Sequence, residues 1–170
     1  VSEAINRTER VTFLNTGTIF IGDNEPGEVS QKVKTVAAFF EKTGLPYEIE
    51  RDIKRRMWGK FMLNVGINQA VAVFGRDYAD AQNEGQTRDV MIAAMREVLP
   101  LAEKEGIAIT ADDIPYWLKV VATLNPVSKP SMRQDVEARR TSEVEMLAGA
   151  VLTMSKKYGI KSPVNEMLYE

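Results

Sequence analysis

Apolar residues occur in short runs along the first fifty positions and recur with a helical period over most of the rest. Val11-Thr12-Phe13-Leu14 and Thr18-Ile19-Phe20-Ile21 are β-prone runs joined by Asn15-Thr16-Gly17. Asn and Gly tolerate positive φ, so the pattern predicts two strands in a hairpin. A loop follows over residues 23–27. Val29, Val33, Val36, Ala37 and Phe40 then share one face of a helix. Gly44 ends it and Leu45-Pro46 prevents its continuation. Tyr47-Glu48-Ile49 reads as a third short strand.

From Asp52 onward the period is helical, with helices expected near 52–74, 84–105, 111–123, 131–140, 143–158 and 164–170. Lys104-Glu105-Gly106-Ile107 and Lys157-Tyr158-Gly159-Ile160 share a stop signal: a cation in the last turn, Gly at C′ and an apolar residue after it. Two prolines make Asn125-Pro126-Val127-Ser128-Lys129-Pro130 a stiff linker. The change of pattern near Glu50 predicts a mixed α/β part over residues 1–50 and a helical part over 51–170.

The helix around Met57–Phe74 is apolar on nearly all sides apart from one stripe. With Lys60 at 0° and about 100° per residue, Asn64 falls near 40° and Asn68 near 80°. Two readings stand at this point. The stripe is the solvent face of an amphipathic helix, or it is a cleft wall whose cation and two amides suit a small anionic, oxygen-rich ligand such as a hydroxy or oxo acid. Asn is a poor helix former, and a plain solvent face more often carries Glu, Lys and Gln. A Lys desolvated in such a wall can act as a proton donor. Gly66, inside the same helix, points to close approach of another backbone.

Ser131-Met132-Arg133-Gln134 has the S-x-x-Q form of a capping box directly after Pro130, and capping is one reading of Ser131. Ser142-x-x-Glu145 forms another possible box. Glu143 lines up with Leu147, Ala150, Val151, Met154 and Tyr158 on the apolar face of the next expected helix. It is thus an inward carboxylate at a helix N-terminus, where the helix dipole favours it. Lys60 is one candidate partner, and Arg139 and Arg140 are others.

Composition narrows the chemistry. The 170 residues contain neither Cys nor His, which removes disulfides, thiol nucleophiles, zinc–thiolate sites and the commonest general base. A metal site is not expected. With 22 basic and 24 acidic residues the net charge is -2, so no nucleic-acid partner is expected, and Lys54-Arg55-Arg56 reads as a solvated helix face. No apolar stretch approaches the roughly 18 residues of a membrane span. A cytoplasmic location is the expectation. The eight Met residues fit core filling or a helical dimerisation surface.

Taken together, three segments carry a resemblance. Trp58 to Asn68 resembles the W-x-K-x-x-x-N-x-x-x-N helix of ketopantoate reductases (2-dehydropantoate 2-reductases). Lys129 to Glu145 is similar to their S-M-x-Q-D-x-x-x-x-R-x-T-E-I-D stretch, with Ser142 in place of the family's Thr. The ending Gly159-Ile160-Lys161-Ser162-Pro163-Val164-Asn165 resembles their G-I-x-T-P-x-N. The resemblance implies a mainly α fold: an all-helical C-terminal domain, 6-phosphogluconate dehydrogenase C-terminal-like, preceded by a short α/β remnant of a Rossmann domain. It implies Lys60 as general acid and Glu143 as the group that holds Lys60 or a substrate hydroxyl. Asn64, Asn68 and Ser131 would bind substrate. It implies NADP as cofactor, a 2-oxo acid as substrate and a possible homodimer. The family's G-x-G-x-x-G turn is absent from these residues, since Gly17 and Gly22 have the wrong spacing. The chain, which starts at Val1, is therefore expected to be the C-terminal portion of a reductase and inactive alone. A sister 2-oxo acid reductase and a non-catalytic helical module are the competing readings.

Overall fold

The computed structural model describes residues 5–7, 10–12, 16–25 and 27–170. They belong to two compact units, residues 1–57 and 58–170.

In the first unit, β1 (Ile5–Arg7) pairs antiparallel with β2 (Arg10–Thr12). β3 (Ile19–Ile21), α1 (Gln31–Thr43) and β4 (Tyr47–Ile49) form a β-α-β unit in which β3 and β4 run parallel, with Phe20 opposite Glu48. The expected hairpin is thus replaced. β2 takes its partner from upstream, and α1 supplies the long crossover that a parallel pair needs. Phe13, Leu14 and Asn15 of that expected hairpin lie outside the described residues.

α1 begins and ends as its sequence dictates. The Ser30 hydroxyl accepts from the Val33 N–H, and the Asp23 carboxylate accepts from the Ser30 N–H at 2.8 Å. Gly44, at φ 68°, closes the helix with Leu45 N–H donating to the Phe40 carbonyl. Val33 and Ala37 are buried, while Val36 is exposed. The Arg56 guanidinium carbon lies over the Phe20 ring, 3.2 Å from its centroid.

α2 (Ile53–Val73) leads into the second unit, which is helical throughout its described elements. α3 (Tyr78–Gln82), α4 (Gln86–Lys104), α5 (Ile114–Ala122), α6 (Ser131–Glu137), α7 (Ala148–Tyr158) and α8 (Pro163–Tyr169) follow. α3 was not expected. It is a single short turn capped by the Asp77 carboxylate, too brief for a period to show. None of the described helices is long and apolar enough to cross a membrane.

The core lies between α2 and α4. Met62, Val65 and Val71 of α2, with Met91, Met95, Val98 and Leu101 of α4, are fully buried. Each such side chain contributes roughly 1.5–3 kcal/mol when removed from water. Gly66 makes the contact possible: a Cβ there would stand 2.7 Å from the Met91 carbonyl oxygen and 2.6 Å from Met95 Cγ. Gly59 does the same for the Trp117 indole, whose nearest ring atom would be 2.5 Å from a Cβ.

The segment after α6 departs most from expectation. α6 stops at Glu137, and Arg139 adopts φ 54°, the left-handed region usually left to glycine. Arg139 N–H donates to the Val136 carbonyl and Arg140 N–H to that of Asp135, the two bonds of a Schellman stop. The Arg140 guanidinium reinforces it by binding the Asp135 carboxylate at 2.7 Å. The helix expected over 143–158 is broken. A 3₁₀ turn, Val144–Met146, is followed by Leu147 at φ −104°, ψ −87°, and α7 starts only at Ala148.

Candidate active site

α2 presents Lys60, Asn64 and Asn68 along one face that runs from solvent into the core. Lys60 is exposed, Asn64 half-buried and Asn68 buried at 7% exposure. The stripe is therefore neither a plain solvent face nor a wholly buried wall. Neither the Lys60 ammonium nor the Asn64 amide has a hydrogen-bond or ionic partner among the described residues.

At the buried end the chain brings in Glu143 and Ser131 from far along the sequence. The Asn68 side-chain amide donates to Glu143 Oε2 at 3.4 Å, and the Ser131 hydroxyl donates to the same oxygen at 3.0 Å. Three of the five residues singled out from sequence, Asn68, Glu143 and Ser131, thus form a hydrogen-bonded set, and Asn64 and Lys60 continue it along α2 toward solvent. The anticipated Lys60–Glu143 pair does not form. Eight residues of helix separate Lys60 from Asn68, about 12 Å along the axis, and Glu143 sits at the Asn68 end.

Two expectations about local structure are corrected here. Ser131 is not a cap. Pro130, at φ −63°, occupies the N-cap position, so Ser131 already has helical geometry and its hydroxyl turns to Glu143. Gln134, the other half of the supposed box, donates its side-chain amide to the Lys129 carbonyl at 2.9 Å. Glu143 stands at the N-cap of a short 3₁₀ turn, not at the N-terminus of the α-helix expected over 143–158. Its own carbonyl accepts from Met146 and Leu147, so the dipole of α7 does not hold it. Ser142 accepts from Val144 N–H and forms no box with Glu145, which instead accepts from the Tyr169 hydroxyl at 2.6 Å.

Gln69 was passed over in the sequence. It is fully buried, on the side of α2 turned away from the stripe. The available signal was an amide on a wheel otherwise apolar there.

A cavity of about 270 Å³ lies at the far end of α2, lined by Phe74, Arg76, Asp80, Asn83, Gly85 and Thr87 among others. It includes none of the five site residues, so it is separate from this chemistry.

The β3-α1-β4 unit does not fit a dinucleotide. A pyrophosphate needs an open helix N-terminus approached by glycine backbone. Here Ser30 and Asp23 already fill the N-terminus of α1. Hydrogen bonds from the Ser30 side chain and backbone hold Asp23 below the usual carboxylate range, so a negative charge occupies the place of the phosphate. A Cβ at Gly22 would meet the Glu50 carbonyl oxygen at 2.3 Å, which leaves no space over that glycine.

Comparison with known proteins agrees with this arrangement. Residues 52–170 match the family model for the C-terminal part of ketopantoate reductase PanE/ApbA. The chain is 28% identical over 164 residues to the 2-dehydropantoate 2-reductase of Aquifex aeolicus, covering 94% of this chain and 52% of that protein. The crystal structure of 2-dehydropantoate 2-reductase from Geobacter metallireducens superposes with a TM-score of 0.82 at 26% identity, over 98% of this chain and 57% of that one. D-mandelate dehydrogenase, solved with NADH and anilino(oxo)acetate, shares the fold with a TM-score of 0.79 at 20% identity, over 93% of this chain and 66% of that one. The chain spans about half the length of the reductases it matches. With the family model running through the whole helical unit, the chain belongs to the ketopantoate reductase family and carries its C-terminal portion.

Proposed function

We propose that this chain is the substrate-binding and proton-donating part of an NADPH-dependent 2-dehydropantoate 2-reductase, which reduces ketopantoate to (R)-pantoate in pantothenate and coenzyme A synthesis. The observation that carries the reading is the Ser131–Glu143–Asn68 junction, continued along α2 by Asn64 and Lys60, which have no partner among the described residues. Reducing a 2-oxo acid requires a hydride at C2 and a proton at the ketone oxygen. The nicotinamide nucleotide, when bound by the parent protein, supplies the hydride. Residues of this chain supply the rest. The Lys60 ammonium donates its proton to the ketone oxygen as negative charge develops there. Asn64, Asn68 and Ser131 offer amide and hydroxyl hydrogen bonds to the carboxylate and hydroxyl. Glu143, held by Ser131 and Asn68, accepts from the substrate hydroxyl.

The test is Lys60→Ala in a full-length polypeptide containing this chain, assayed by NADPH oxidation with ketopantoate. Loss of a general acid lowers kcat by about 10²–10⁴-fold. Undiminished turnover would sink the assignment and favour a non-catalytic helical module. The 170-residue chain alone is expected to oxidise no NADPH, because its β-α-β unit offers no pyrophosphate cradle. Light scattering tests the proposed homodimer.

A second reading keeps the frame and changes the acid, and the fold shared with D-mandelate dehydrogenase favours including it. A panel of 2-oxo acids separates the two: ketopantoate gives the highest kcat/KM under the first reading and a bulkier or aromatic acid under the second.

A further inference from the structure

We infer that Gln69, Asn165 and Glu97 are positioning residues that fix the rotation of α2, and with it the aim of the Lys60–Asn64–Asn68 stripe. Gln69 lies about 180° around the helix from Lys60, so it grips α2 from behind. Its side-chain amide donates to Asn165 Oδ1 at 3.2 Å and to the Val65 carbonyl at 2.7 Å. Asn165 in turn donates to Glu97 Oε2 at 2.7 Å. The same Glu97 carboxylate accepts the backbone N–H groups of Val164 and Asn165, both at 2.9 Å, and so supplies the cap that Ser162 does not give α8. One polar chain therefore ties α4 to α8 and α8 to α2. Gln69 and Asn165 are fully buried.

Stability alone does not account for this chain. Gln69 Oε1 is buried without a partner, which is unfavourable. An apolar side chain of similar shape would remove that orphan and pack against the same core, and with an apolar partner at 165 as well it would leave no amide unpaired there. What an apolar side chain lacks is direction. Contacts among Met62, Val65 and Met95 permit small rotations of α2, whereas a directional amide bond behind the helix does not. A rotation of about 20° would carry a side-chain tip some 5–6 Å from the axis through about 2 Å. That is enough to break the Asn68–Glu143 bond and misdirect Lys60, and a misplacement of about 1 Å can cost on the order of 10²-fold in rate.

The inference rests on the proposed reductase reading for its catalytic part. The experiment is Gln69→Met, made in both the full-length reductase and the 170-residue chain. In the full-length enzyme, kcat/KM for ketopantoate falls about 10–100-fold. The thermal midpoint falls only modestly, because removal of the orphan Gln69 Oε1 offsets the loss of a donor at Asn165 Oδ1. In the chain alone, the Asn68 side-chain amide NMR signals shift toward those of a Glu143→Gln variant. Glu97→Gln keeps its shape at a half-buried position and moves both readouts in the same direction to a smaller extent, which covers a Gln69→Met protein that fails to fold. Wild-type kinetics with unmoved Asn68 signals would overturn the inference, as would a large loss of stability with unchanged kinetics below the transition. If the unmutated full-length protein reduces no 2-oxo acid, the reductase reading falls, while the Asn68 signals still decide the positioning role.

Discussion

Gly66→Ala sets helix propensity directly against packing. In a free helix the change is favourable by about 1 kcal/mol. In α2 the new methyl would stand 2.7 Å from the Met91 carbonyl oxygen and 2.6 Å from Met95 Cγ, where ordinary contact begins at 3.4 Å. Met95 can change rotamer only within a core that leaves it no exposure. The Met91 oxygen is backbone and moves only with α4, by 3.4 less 2.7, or 0.7 Å. Overpacking of this kind costs about 1–3 kcal/mol and occasionally more. The cost matches or exceeds the propensity gain, leaving a net loss of up to about 2 kcal/mol. For a unit of this size that lowers the thermal midpoint by up to about 8 °C. The assay is thermal unfolding followed by the helical circular dichroism signal, with Gly149→Ala as the control. There the new methyl meets the tip of the exposed Glu145 side chain at 2.8 Å, which can swing aside. The control should match or slightly exceed wild type. If Gly66→Ala is as stable as the control, the close approach of α4 to α2 does not limit the core, and the reasoning fails.

Two further outcomes follow from the same structure. Ser131→Ala should leave hydrogen exchange of the Gln134 amide, bonded to the Pro130 carbonyl, at its wild-type rate, while raising the KM for ketopantoate about tenfold (1.4 kcal/mol). Faster exchange at Gln134 would restore the capping role. Lys157→Met should weaken the tie between α7 and α4 in a pH-dependent way. The Tyr158 hydroxyl and the Glu105 carboxylate raise Lys157 from 10.5 to about 12. That contribution is full below pH 10.5 and is lost as pH rises through about 12. The Tyr158 hydroxyl, then Lys157, hold Glu105 below 4.5, so its contribution is full above that value and is lost as pH falls through the lowered one. The difference in thermal midpoint between wild type and Lys157→Met is therefore widest across the plateau and closes at both ends. It also shrinks with salt, because the pair is exposed. A difference independent of both pH and salt would contradict this account.

What the sequence made legible was what is periodic. The long helix α4 is recoverable because its apolar positions repeat over five turns, α2 because a polar stripe at i, i+4 and i+8 crosses a long apolar segment, and α1 because its apolar face repeats until Gly44. The stripe was visible because amides are scarce on an apolar helix. The losses occur where tertiary partners override a local signal. S-x-x-Q after proline looks like a cap, yet one step of register moves Ser131 inside α6 and leaves its hydroxyl for Glu143. The break at Leu147 carries no Pro, and Gly149, two residues on, lies inside α7 with the helix continuing through it. Gln69 stood out as an amide on an apolar side of α2, but its partner Asn165 lies 96 residues away on α8 and no local pattern links the two. The pairing of β3 with β4 depends on a crossover that a short apolar run cannot encode.

The Schellman stop at Arg139 makes the interval from Ser131 to Glu143 a gauge of set length. Helix, left-handed residue and the Asp135–Arg140 clasp fix the path as far as Arg140, leaving only Thr141 and Ser142 between that clasp and the residue whose Oε2 Ser131 holds. Most loops absorb an extra residue at little entropic cost. Here one insertion would displace Glu143 by up to about 3.5 Å, farther than either of its hydrogen bonds can stretch. Sequence drift is therefore free to change side chains such as Arg139 within the interval, but not the number of residues it contains.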